Sequence, residues 1–179
     1  TAVRLRHAEL LYEDGTLNTE NLRRARATDT YILRGDTEEE VYSPHFTYHG
    51  FRYVEVTGYP GTPRPGAVLG KIVHTAVDPA GGFSASKPIL NQIQRLVEWS
   101  IRTNLHSIPT DSNQRDERMG WLADAHLAAE AAIWNFDMAS FYTNFLRNIH
   151  DIQLTDGTVP DTVPFRNGRR PADPAWGAG

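Results

Sequence analysis

The spacing of apolar and polar residues changes near residue 80 of this 179-residue chain. Before that point the segments are short and alternate. Val3, Leu5 and the run Leu10-Leu11-Tyr12 lead to Asp14-Gly15, a strong turn signal. Thr30-Tyr31-Ile32-Leu33 stops at Gly35-Asp36. The stretch from Phe46 to Val56 is rich in aromatic and β-branched residues, and its Gly50 suits a bulge or a change of face. Tyr59-Pro60-Gly61-Thr62-Pro63-Arg64-Pro65-Gly66 is a Pro/Gly loop, and Val68–Thr75 is a further strand candidate. Short strands separated by turn signals predict one portion of an antiparallel β-sandwich.

After residue 80 the period becomes helical. Ser86 is a candidate cap, and Pro88 sits in the first turn, where proline is tolerated. Ile89, Ile93, Leu96, Val97 and Ile101 follow at steps of three and four, which predicts a helix over roughly 87–105. Trp121–Leu154 predicts a second, longer helix over roughly 121–153. Leu122, His126, Ala129, Ile133, Phe136, Phe141, Phe145 and Ile149 run along one side of it. Ala125, Ala128, Ala132, Met138 and Ala139 make other flanks apolar too, so close neighbours are expected on both sides. Asp156-Gly157 ends the pattern, and Thr158–Gly179 reads as loop. The expected architecture is therefore multidomain, β then α. Residues 1–78 form part of a sandwich, and residues 79–179 open a larger helical domain. Neither half covers its apolar faces alone, so the chain reads as a piece of a longer protein.

Composition narrows the function. Forty per cent of residues are apolar and 22% charged, an ordinary globular balance. The net charge of −4 leaves no basic footprint, which argues against nucleic acid as a partner. No apolar run approaches the ~18–20 residues of a membrane span. The absence of cysteine excludes disulfides and thiolate zinc sites and leaves the compartment open. His45, His49, His74, His106 and His126 show no metal-ligand spacing, and Gly81-Gly82 lacks the Lys-Ser/Thr of a phosphate loop. No metal or cofactor is predicted. Glu38-Glu39-Glu40 reads as a solvated turn, and Tyr48, Phe51 and Tyr53 read as core.

The chemistry concentrates in Thr110–Asp124, T-D-S-N-Q-R-D-E-R-M-G-W-L-A-D. Its acids can be helix caps: Asp116 or Glu117 would suit the N-terminus of the following helix, with Arg115 and Arg118 as ion-pair partners. Yet Asp111, Glu117 and Asp124 are more acids than one cap needs. Arginines bracketing Asp116-Glu117 can hold one acid ionised while another stays protonated. Trp121 adds a flat apolar face. A protonated acid, ionised neighbours that accept hydroxyl hydrogen bonds and an aromatic platform are what glycoside cleavage needs.

The motif Asp111-x-x-Gln114-Arg115-Asp116-Glu117-Arg118-Met119-Gly120-Trp121-x-x-Asp124 resembles that of bacterial α-L-rhamnosidases of glycoside hydrolase family 78. Phe46-Thr47-Tyr48-His49-Gly50-Phe51-Arg52-Tyr53-Val54, Ala80-Gly81-Gly82-Phe83-Ser84 and Asn135-Phe136-Asp137-Met138 match in the same order, so the likeness covers nearly the whole chain. Two short stretches differ. Ser112-Asn113 stands where the family commonly has Cys-Pro, and Trp121-Leu122-Ala123-Asp124 where it commonly has Trp-Thr-Gly-Asp.

The resemblance implies a β-sandwich followed by the first helices of an (α/α)6 barrel. It implies Glu117 as the general acid. Asp111, Arg115, Asp116 and Asp124 would hold rhamnose hydroxyls, and Trp121 and Trp176 would line the pocket. The general base would lie in the remainder of the catalytic domain, beyond residue 179. The expected substrate is a rhamnose-containing glycoside, oligosaccharide or polysaccharide. It would be cleaved with inversion by carboxyls ~6.5–9.5 Å apart. The alternatives are a lyase or different glycosidase on the same scaffold, and a non-catalytic carbohydrate-binding module.

Overall fold

The computed structural model describes residues 1–35 and 38–177. The chain divides into two compact units, Thr1–Val73 with Asn113–Asp116, and His74–Ser112 with Glu117–Gly179.

The first unit is built on an antiparallel three-stranded sheet of order β4-β1-β5. Its strands are β1 (Ala2–Ala8), β4 (Thr28–Ile32) and β5 (Tyr53–Thr57). The central strand carries the alternation seen in the sequence. Val3, Leu5 and His7 are more buried than their neighbours Arg4 and Arg6. Leu5 stands opposite Asp29 on one side and Val56 on the other. Arg6 pairs across the sheet with Glu55 at 2.9 Å; both are well exposed, so the pair contributes about 0–1 kcal/mol. A small hairpin joins β2 (Leu10–Leu11) to β3 (Leu17–Asn18). Its turn is where Asp14-Gly15 placed it. Gly15 takes φ 83°, and Asp14 accepts hydrogen bonds from the Thr16 amide and hydroxyl. Gly35, with φ 91°, follows the end of β4; its predicted turn partner Asp36 lies outside the described residues.

The first half departs from expectation in three places. The strand predicted from Phe46 begins only at Tyr53. Phe46 takes φ 57°, and Gly50 is closely faced by Asn113: a Cβ there would come within 2.2 Å of the Asn113 side-chain oxygen. Tertiary contact has overridden β propensity over 46–52, and Gly50 serves close approach instead of a bulge. Val68–Thr75 forms no strand. Its last residue, in the second unit, pairs with the turn after the first long helix, Thr75 N–H donating to Leu105 O at 2.7 Å. Glu40 is not solvated. Its side chain is 6% exposed and accepts hydrogen bonds from the Tyr31 hydroxyl and the Arg34 amide.

In the second unit α1 spans Pro88–Arg102. Proline opens it, but Ser86 does not cap it. Asn91 instead holds the approach to the helix, bonding both the amide and the carbonyl of Ala85 at 2.8 Å. Of the apolar face read in the sequence, Ile89, Ile93 and Leu96 are 56%, 49% and 67% exposed, while Val97 is half-buried and Ile101 packs against the core. The long helix is two helices, α2 (Leu122–Asn135) and α3 (Ala139–Ile152). Between them Phe136 is extended. Asn135 O accepts the Ala80 amide, and the Asp137 amide donates to Asp78 O. These bonds capture the backbone that a continuous helix would have used. They bury Phe136 and Met138 in one cluster with Leu105, Ala132 and Phe141. A second cluster joins Leu122, Ala125, Phe145 and Val163. Ile133, predicted inside, is 56% exposed.

The tail is irregular but not all surface. Pro160, Asp161, Thr162 and Val163 are buried, and a short α4 forms at Pro174–Gly177.

Candidate active site

The turn after α1 runs through Leu105 and Pro109 into the charged motif. Asp111 closes the base of the loop. Its amide donates to Met119 O at 3.0 Å, one carboxylate oxygen accepts the Met119 amide at 2.7 Å, and the other accepts the Ser112 hydroxyl at 2.9 Å. Arg118 takes φ 54°, a conformation seldom adopted by side-chain-bearing residues, and so turns the chain sharply between Glu117 and Met119.

The turn aims Glu117 at Trp121, whose indole N–H donates to a Glu117 carboxylate oxygen at 3.2 Å. Neither Asp116 nor Glu117 caps the next helix. Trp121 is its N-cap residue, no side chain makes a cap bond, and Asp124 is the acid in the first turn. Asp124 is exposed there, where a carboxylate is favoured by the unpaired amides. Trp121 is held on its other side by the tail. Leu122 N–H donates to Asp161 O, Val163 N–H donates to Gly120 O, and Trp176 lies 5.0 Å from the Trp121 ring at 48°. Glu117, Trp121 and Trp176 thus form one contact series, and Asp111 fastens the loop that carries Glu117. Nearby His106 is held below the usual histidine range. Burial is the main cause, the Arg118 and His74 charges add to it, and a bond to Thr103 O opposes it.

Arg115 and Asp116 belong to the first unit with Asn113–Asp116. There Arg24 Nε lies 3.5 Å from Asp116; the arginine side chain is 95% exposed, so this pair adds little.

The first unit also holds a cluster that the sequence did not single out as a group. His7, Asp29 and His49 offer ligand atoms within 4.8 Å of one another. The two imidazoles are stacked, 4.4 Å apart at 27°, so their in-plane lone pairs run side by side and do not converge on one point. His49 Nε2 lies 3.1 and 3.2 Å from the two Asp29 oxygens, and His7 Nδ1 lies 3.1 Å from Ala27 O. That geometry ties β1 to β4 and to the segment before β5, and it suits a hydrogen-bonded stack better than a metal centre.

Asp161, Gly168 and Asp173 are the site residues that sequence reasoning missed. They lie in the tail read as loop. Val159-Pro160-Asp161-Thr162-Val163 has neither the period of a strand nor that of a helix, so no signal in the sequence marked them.

Residues 78–179 match the bacterial alpha-L-rhamnosidase 6 hairpin glycosidase domain, and residues 1–74 match the bacterial alpha-L-rhamnosidase concanavalin-like domain. An alpha-L-rhamnosidase of Streptomyces avermitilis is 45% identical over 177 residues, which is 99% of this chain and 17% of that protein. One from Formosa agariphila is 37% identical over 98% of this chain and 19% of its own length. Among solved structures, the alpha-L-rhamnosidase from Dictyoglumus thermophilum superposes with a TM-score of 0.94 at 53% identity, covering 98% of this chain and 20% of that one. The Streptomyces avermitilis enzyme complexed with L-rhamnose gives 0.89 at 46% identity, covering 93% and 16%. The chain therefore spans about a fifth of the length of these relatives. It belongs to the bacterial α-L-rhamnosidase family, with a concanavalin-like sandwich segment followed by the opening of the six-hairpin glycosidase domain.

Proposed function

We propose that the intact protein is an inverting α-L-rhamnosidase that releases terminal rhamnose from glycosides, oligosaccharides or polysaccharides. Glu117 is its general acid, delivering a proton to the glycosidic oxygen. A carboxylate in the remainder of the catalytic domain, beyond residue 179, activates water on the opposite face. Asp111, Arg115, Asp116 and Asp124 hold sugar hydroxyls through charge-assisted bonds. Trp121 and Trp176 give the apolar wall. The sandwich segment covers residues 1–78 and the catalytic segment residues 79–179, a division that the family matches over 1–74 and 78–179 support.

The observation that carries this reading is the seat of Glu117, with one oxygen on the Trp121 indole N–H and Trp176 packed 5.0 Å from that ring. An acid held on the Trp121 indole beside an aromatic face suits orientation toward a bound sugar; an ordinary helix cap would point at backbone amides. The exposed apolar face of α1 is covered by further helices of the barrel in this reading.

The test is hydrolysis of aryl α-L-rhamnoside by the intact protein, with the product anomer followed by proton NMR before mutarotation. β-L-rhamnose as first product supports the reading. α-L-rhamnose would remove inversion, and cleavage of other aryl glycosides with none of rhamnosides would remove the substrate class.

A further inference from the structure

We infer that Asp161 is a positioning residue: its buried carboxylate fixes the tail segment that sets Trp176 against Trp121. This rests on the proposed function for its catalytic consequence, but its structural content stands on geometry alone. Asp161 is 3% exposed, and among the described residues no cationic side chain bonds to its carboxylate. Both oxygens are spent on backbone amides of the tail, Oδ2 on Arg169 and Oδ1 on Asp173, the latter at 2.9 Å. Its own backbone is engaged on two sides. The Asp161 amide donates to Arg169 O at 3.0 Å, and its carbonyl accepts from Leu122 N, the first residue of α2.

One residue therefore fastens the tail to the element that carries Trp121. Asp173 passes the restraint on: its carboxylate receives the Ala175 amide and Arg169 Nη1, and its carbonyl receives the amides of Trp176 and Gly177. Trp176 is thus three residues from an anchored point, and its ring rests on Trp121, which donates to Glu117. Gly168 completes the fit. It takes φ 90°, and a Cβ there would lie 2.7 Å from Asp161 Oδ2 and 3.1 Å from the Trp121 ring. A buried carboxylate facing two amides is a costly group to keep, and replacement by a shape-matched neutral side chain strands one of the amides.

The experiment labels the intact protein with 5-fluorotryptophan and assigns the Trp121 and Trp176 fluorine signals by single Trp→Phe variants. Asp161→Asn should shift or broaden both signals, and Gly168→Ala should do the same, while the signals of Trp99 and Trp134 stay in place. Unchanged Trp121 and Trp176 signals in Asp161→Asn would overturn the inference, because Gly168→Ala also meets the Trp121 ring directly. Asp161→Asn keeps the size of the side chain; if it does not fold, Asp161→Ser takes its place, with the same two outcomes.

The kinetic arm is a cycle of Asp161→Asn, Trp176→Ala and the double variant on a rhamnoside with a sugar aglycone. If Asp161 acts through Trp176, the double variant loses no more kcat/KM than the worse single variant, to within about threefold, against single losses of about 10- to 100-fold. Losses that multiply would show that Asp161 acts elsewhere. Wild-type protein inactive on rhamnosides would defeat the proposed function and leave the fluorine test to decide the role of Asp161.

Discussion

Gly120 precedes Trp121 and is buried at the point where the motif meets the tail. Its φ is not in the positive range, so alanine meets no backbone objection. The objection is space. A Cβ at 120 would lie 2.2 Å from the carbonyl oxygen of Val163 and 3.3 Å from Ile108 Cδ1. The nearer atom is backbone, so relief requires the two segments to part by about 1 Å. Parting them weakens the bond from Val163 N–H to Gly120 O, now 2.9 Å, at a residue that is 0% exposed.

Overpacking of this kind costs about 1–3 kcal/mol, and an unsatisfied buried amide about 1–3 kcal/mol more. The expected total for Gly120→Ala is about 2–6 kcal/mol. The intact protein has several domains, so a global melt is not a clean measure. Hydrogen exchange of the peptide over residues 158–166 reads the contact directly. At tenfold per 1.4 kcal/mol, its protection should fall by at least about 30-fold. Rhamnoside kcat/KM should fall by up to about 10²-fold, because Trp121 moves with its neighbour Gly120. Gly82→Ala is the control: nothing lies within 4 Å of its Cβ position, and it should change stability by less than about 0.5 kcal/mol. If Gly120→Ala exchanged like wild type, the close approach at this position would be wrong, and with it the placement of Trp121.

Other expectations follow from packing and charge. Phe136→Ala empties the centre of the cluster between α2 and α3, where the ring is 2% exposed, and should cost about 3–5 kcal/mol, seen as inactivation at a temperature several degrees lower. His7 sits below the ordinary histidine value of 6.5, chiefly because it is buried and also because His49 repels its charge, with Ala27 O and Asp29 opposing. The unfolded chain therefore takes up the proton first as pH falls. Stability is whole above about pH 6.5 and drains as pH drops from there through the folded value. His7→Phe keeps the ring, and Ala27 O still accepts the backbone amide of residue 7, so the exchange protection of β1 should lose much of its dependence on pH between about 5 and 7.

The sequence revealed most where a local rule and a tertiary contact agree. Asp14-Gly15 gives a tight turn because the chain reverses there by itself, and Pro88 marks the first residue of α1 for the same reason. Local rules failed where a distant segment wins the backbone. Asn135–Asp137 bonds to Asp78 and Ala80, which cuts the predicted long helix in two. The step of five from Phe136 to Phe141 was the visible trace of that break. Thr75 pairs beyond α1, so the strand expected to end there does not form. In the motif, the pairing of Glu117 with Trp121 at i, i+4 follows from spacing, but a helix would have produced the same spacing; the actual link is a turn made by Arg118 at φ 54°. Asp161 was illegible because its partners, Arg169 and Asp173, are amides that any residue type could supply.

The most direct test of the account is Glu117→Gln in the intact protein, assayed on a natural rhamnoside and on an aryl rhamnoside with a good leaving group. Glutamine keeps the shape and can still accept the Trp121 indole N–H, but it cannot deliver a proton to the leaving oxygen. General acid catalysis contributes about 10²–10⁴-fold, so kcat on the natural substrate should fall by that order. The aryl substrate needs less protonation and should lose much less. Rhamnose binding should persist, because Asp111, Arg115 and Asp124 remain. Asp111→Asn should instead weaken both substrates alike. Wild-type rates for Glu117→Gln on both substrates would contradict the account and leave Glu117 as a structural partner of Trp121.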